Sequence, residues 1–126
     1  GAEHLRLVRG SWKPGIRWVV IDLAVFAGKS PAYALENTSK DAEYQPAGIE
    51  LLALLLLQPK WATSWDGKKF FYPNLTGLQF NWDGTEQSWS SVPCLLRWDG
   101  VRQFKLLANW ADEGDGLFAS PCFREC

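Results

Sequence analysis

A chain of 126 residues with 47% hydrophobic and 21% charged residues has the size and balance of one globular domain, residues 1–126, and lies outside the disordered class. Its formal net charge of −1 argues against a dedicated nucleic-acid binder, which carries a strong basic excess. Three cysteines, an odd count, do not suit a secreted disulfide framework, and no stretch reads as a targeting signal, so a cytoplasmic protein is expected.

Taken in chain order, Leu5 and Leu7 alternate with His4 and Arg6, the pattern of an edge strand over residues 3–9. Residues 1–17 hold four bases against Glu3, and residues 111–126 hold four acids against Arg124. This asymmetry reads as two termini that lie near each other and neutralise one another, in preference to a basic patch for an acidic partner. Lys13-Pro14-Gly15 reads as a turn. Residues 16–26 then form the clearest strand, apolar on both faces apart from Arg17 and Asp22, which predicts a place in the middle of the sheet. Ser30-Pro31 has the form of an N-cap followed by the first helical residue and predicts a short helix over 31–37. Residues 37–46 are polar and read as a loop.

Residues 47–57 contain six leucines, with Glu50 the one charge. Leucine and alanine favour helix, so a buried helix lying across the sheet is expected. The apolar run from Ile49 to Leu57 is too short to span a bilayer. From Lys60 onward three Trp-Asp-Gly triplets follow at 65–67, 82–84 and 98–100, spaced by 17 and 16 residues. Asp-Gly is a strong hairpin signal, because a type I′ turn needs positive φ at both central residues. Return turns are placed at Pro73-Asn74 and near Ser91-Val92-Pro93, making the C-terminal half an antiparallel meander of about five strands. The tail, residues 112–126, is expected to wrap the surface without regular structure. The fold class is therefore α+β, an antiparallel meander sheet of about six or seven strands packed on one buried helix.

The eight tryptophans are the first candidates for function, being large, rigid, amphipathic contact residues. Trp65, Trp82 and Trp98 flank predicted turns and read as residues capping the core. Trp61, Trp89 and Trp110 stand among polar neighbours and are the candidate ligand-binding residues. Asp66, Asp83 and Asp99 are explained by turn geometry rather than by metal binding. Asp22 interrupts an apolar strand, where a carboxylate must be paired or shifted in pKa. It reads as a partnered structural acid ahead of a catalytic one. Cys94, Cys122, Cys126 and His4 are too dispersed to predict a zinc site. Gly28-Lys29-Ser30 lacks the glycine-rich arc of a phosphate-binding loop, since Leu23 stands where its first glycine is required. No cofactor or metal is expected.

These residues predict a non-catalytic binding or adaptor domain that uses an aromatic-rich β-surface to contact a protein partner or small ligand, with no nucleic acid and no membrane. The alternative is a small acid–base enzyme using Asp22 with Glu50, or with one of the turn aspartates, in a pocket between sheet and helix.

Overall fold

The carboxylate of Asp22 decides how the first long apolar stretch folds. In the computed structural model, which describes residues 4–8, 18–38, 44–58, 71–83, 89–97 and 104–125, Asp22 Oδ1 accepts the N–H of Ala24 at 3.1 Å. A side chain that satisfies the backbone two residues on turns the chain out of the strand. β2 therefore spans only Val19–Asp22, and residues 23–29 follow as bends and turns. The turn closes with Lys29 N–H on Phe26 O at 3.0 Å, with Phe26 at φ 59° and Gly28 at φ 76°. The continuous strand expected over 16–26 is thus corrected to four described residues. β2 is an outer strand, not a middle one, and Asp22 is exposed at its end.

β1 (Leu5–Leu7) is an edge strand, as its alternation predicts. Helix α1 spans Pro31–Thr38, and Ser30 Oγ caps it by accepting Tyr33 N–H at 3.1 Å. Gln45–Pro46, expected as loop, forms β3. Helix α2 spans Ile49–Leu57. A nine-residue helix apolar on all sides has more greasy surface than one sheet can cover. Leu51 is fully buried and Leu52, Leu54 and Leu55 are half-buried, while Leu56 and Leu57 stand 84% and 77% exposed. The expected buried helix is buried on one face only.

The remaining strands are β4 (Tyr72–Pro73), β5 (Leu78–Phe80), β6 (Ser91–Arg97), β7 (Phe104–Trp110), β8 (Phe118–Ala119) and β9 (Cys122–Glu125). The architecture is mostly antiparallel β with two helices, an α+β arrangement. The described strands form three sheets, in the orders β1-β5-β6-β7, β2-β9-β3 and β4-β8; the last pair is parallel. The consecutive antiparallel run is thus β5-β6-β7, shorter than the expected meander. Pro73-Asn74 is not a return turn, because β4 pairs with β8 and Asn74 bridges Cys94. Residues 91–93 lie inside β6. Pro93 is tolerated there because its carbonyl accepts Leu75 N–H at 2.8 Å on the edge away from β7, so β7 loses no donor. Phe80 pairs with Ser91, so ten residues, 81–90, lie between the paired positions; of the triplet at 82–84, Gly84 lies outside the described residues. The triplets at 65–67 and 98–100 lie outside the described residues.

The tail reverses its expected role. Phe118 to Cys122 are all buried, and β9 is the central strand of its sheet, paired with β2 through Val19–Glu125 and with β3 through Gln45–Phe123. The opposed charges of the chain ends are not paired at the one basic side chain described near the start, since Arg6 donates to Gln79 Oε1 at 2.7 Å. The core gathers Ala47, Leu51, Leu75, Leu78 and Leu95, with Leu7 and Phe123 packed against it.

One close approach ties the layers together. Gly77 N–H donates to Ala47 O at 3.0 Å, and a Cβ on Gly77 would lie 2.6 Å from Pro46 O, a backbone atom. Gly77→Ala is expected to destabilise the fold by about 1–3 kcal/mol through overpacking. Gly116→Ala, with nothing within 4 Å of the added carbon, should stay within about 0.5 kcal/mol. Urea midpoints of the two variants check the contrast.

Candidate functional site

Antiparallel partners share a face and alternate residues along a strand return to it. The register Leu5–Phe80, Phe80–Ser91, Ser91–Trp110, Pro93–Ala108 and Leu95–Leu106 therefore defines one face of the four-stranded sheet. Leu7, Leu78 and Leu95 of that face enter the core. Leu5, Phe80, Pro93, Leu106 and Ala108 of the same face line a half-open cleft of about 630 Å³, completed by His4, Trp82 and Leu107. Its rim is greasy. Leu5, Trp82, Leu106 and Leu107 are 44%, 58%, 61% and 44% exposed, a contiguous apolar surface of the kind that marks interaction sites.

Two hydrogen-bonding arrangements make the wall rigid. Trp82 Nε1–H donates to Ser91 Oγ at 2.8 Å, and its ring meets Phe80 edge to face at 5.0 Å and 86°, the geometry aromatic quadrupoles prefer. His4 is tied to Asn81 twice. Its Nδ1 lies 2.8 Å from Asn81 O, and its carbonyl accepts Asn81 N–H at 2.8 Å.

Of the tryptophans predicted as contact residues, the two described ones, Trp89 and Trp110, are not brought together. Trp61 lies outside the described residues. Trp89 is half-buried with the Arg6 guanidinium 4.1 Å above its ring, a cation–π contact. Arg6 pairs with Gln79, so it stands on the sheet face opposite the cleft. Trp110 is 52% exposed on the cleft's own face, opposite Ser91 in register, although it does not line the cleft. Trp82, read from sequence as a turn residue capping the core, is instead the exposed tryptophan in the wall. The available signal was its spacing, since Phe80 and Trp82 are two residues apart. The consecutive Leu106-Leu107-Ala108 of β7, with no polar residue to face water, was the other.

Asp22 lines a second, smaller cavity of about 180 Å³ between the three-stranded sheet and α1, with Phe26, Asn37, Thr38, Tyr44 and Cys122 among its neighbours. Glu50 is not part of it. Glu50 Oε1 accepts Gly48 N–H at 3.2 Å in the first turn of α2, so the expected Asp22–Glu50 pair is not assembled there. Cys94 and Cys122 are buried free thiols in different sheets, and Cys126 lies outside the described residues. Among the described residues no three His, Cys, Asp or Glu side chains gather as a metal site. Among them, too, no helix is long and apolar enough to cross a membrane.

Compared with known proteins, this chain matches no family model, no curated protein and no solved structure.

Cys94 yields a pH prediction. Burial pushes its thiol up from 9.0 to about 11, against a smaller lowering by a hydrogen bond with the Leu107 backbone. The folded state thus holds a proton that the unfolded chain releases near pH 9. The associated stability is complete below that pH and is lost as pH rises toward 11. Urea unfolding from pH 8 to 11 should show a steeper fall for the parent than for Cys94→Ala, by up to about 3 kcal/mol.

Proposed function

We propose that this protein is a non-catalytic binding domain whose cleft on the four-stranded sheet takes an apolar group of a partner or small ligand. The observation that carries the reading is the composition of the cleft wall. Six of its eight described lining residues have purely hydrocarbon side chains, and a seventh, Trp82, has its one polar atom occupied by Ser91. A concave, apolar wall with few polar groups is what ligand sites share. Its described lining residues include no nucleophile–base pair and no paired carboxylates. Trp110, exposed on the same face, extends the contact surface beyond the cleft.

The acid–base reading retains one supporting observation, that Asp22 borders the smaller cavity. There the carboxylate is exposed, with one oxygen engaged by Ala24, and Glu50 lies outside. The binding reading is the stronger of the two.

The reading is tested with N-phenyl-1-naphthylamine, an uncharged dye whose emission rises on entering apolar sites of a folded protein. One saturable class of site is expected. Leu106→Glu, at a 61% exposed position, should weaken that binding at least tenfold, about 1.4 kcal/mol, with an unchanged melting temperature. A titration identical in parent and variant would remove the cleft from the proposal.

A further inference from the structure

Among the described residues lining the cleft, His4 carries the one polar side-chain atom left without a partner, and its chemistry is fixed by what surrounds it. A carbonyl oxygen can only accept, so the 2.8 Å contact between His4 Nδ1 and Asn81 O requires that Nδ1 carry the hydrogen. In the neutral imidazole the other ring nitrogen, Nε2, is then left with a lone pair and no hydrogen, an acceptor and not a donor. Among the described residues Nε2 has no hydrogen-bond partner. Two other polar groups of the wall are engaged. Trp82 Nε1–H is held by Ser91, and the Pro93 carbonyl by Leu75. His4 is tied to Asn81 by ring and backbone alike, through Nδ1 on Asn81 O and through its carbonyl, which takes Asn81 N–H.

Resting on the reading of the cleft as a binding site, we infer that its ligand is a small aromatic molecule bearing a single neutral hydrogen-bond donor, a phenol or an indole. The donor meets His4 Nε2 and the ring lies against Phe80 and Trp82. The volume of about 630 Å³ falls within the range for small-molecule sites. The edge-to-face arrangement of Phe80 and Trp82 offers a third ring the offset or T-shaped packing that aromatic groups prefer. With no cationic side chain among the described residues of the wall, a carboxylate-bearing aromatic would lose its hydration without a counter-charge. A purely hydrocarbon ring would leave the acceptor unpaired once water is displaced.

The chain contains one histidine, so its ring nitrogens give an unambiguous signal in nitrogen-15 NMR. The experiment titrates 4-methylphenol and toluene into the same protein, following tryptophan fluorescence for affinity and the His4 Nε2 resonance for the contact. Expected are a three- to tenfold tighter binding of 4-methylphenol, the worth of one neutral hydrogen bond, and an Nε2 shift with 4-methylphenol alone. In His4→Phe, which keeps the ring and removes the acceptor, the two probes should bind equally. If that variant unfolds, the parent's Nε2 shift decides by itself. Equal binding of both probes by the parent overturns the donor assignment and leaves the cleft reading standing. A preference for 4-methylphenol without an Nε2 shift overturns the role of His4. If neither probe binds, both proposals fall together.

Discussion

Five consecutive residues, Phe118 to Cys122, are buried, and a buried backbone must find a partner for its N–H and C=O groups or forfeit about the worth of a hydrogen bond at each. Those partners come from widely separated parts of the chain. Tyr72 and Asn74 N–H reach the carbonyls of Leu117 and Ala119, Gly28 N–H reaches Phe118, and Ala47 N–H reaches Pro121. Ser120 N–H is satisfied by Val25, and immediately afterwards β9 accepts β2 on one side and β3 on the other. β2 and the turn after it, the segment ahead of α2 and the middle of the chain are therefore held to one thread. Phe123 of that thread packs against the core around Leu51 and Leu95.

The cleft is the open remainder of a face whose other part is closed. Leu7, Leu78 and Leu95 are used by the core, while Leu5, Phe80 and Leu106, two residues along in each case or directly paired, are left to the cleft. The wall keeps its shape through polar atoms spent on protein neighbours: Trp82 on Ser91, His4 on Asn81. Neighbouring side chains on the opposite face are secured as well, with Arg6 against Trp89 and Asn109 Nδ2–H donating to Asn74 Oδ1 at 2.8 Å. Rigidity at both faces limits the ordering cost that a ligand would otherwise meet.

What was legible in the residues was local. Ser30-Pro31 announced α1, the leucine run announced α2, and the alternation of Leu5 and Leu7 announced an edge strand, because each signal is decided within one turn or one pleat. What was not legible was decided by distant partners. The Asp22 carboxylate ended β2 inside a run that hydropathy alone extends to Phe26, and nothing local distinguishes an acid that caps its own backbone from one that sits in a strand. The acidic, glycine-containing tail read as surface, yet Phe118, Ala119 and Cys122 made it the partner of four separate segments. Pairing between sequence-distant strands leaves no periodic mark on either. The cleft was half visible. An aromatic surface of the β-structure was expected, but Trp89 lies on the other face and Trp82 took the place in the wall, because the face each tryptophan occupies depends on register rather than on its polar neighbours.

The parallel pairing of β4 with β8, and the central position of β9, carry a consequence for synthesis. A growing chain can form α1, α2 and the β5-β6-β7 hairpins as soon as their residues leave the ribosome. It cannot complete either of the other sheets until residues 117–125 have been made. Until then β2, β3 and β4 present unpaired edges, and the leucines of α2 lack part of their cover. The protein is therefore most open to chaperones and to edge-to-edge association in the interval just before that last segment emerges, and a pause in translation there would lengthen its exposure.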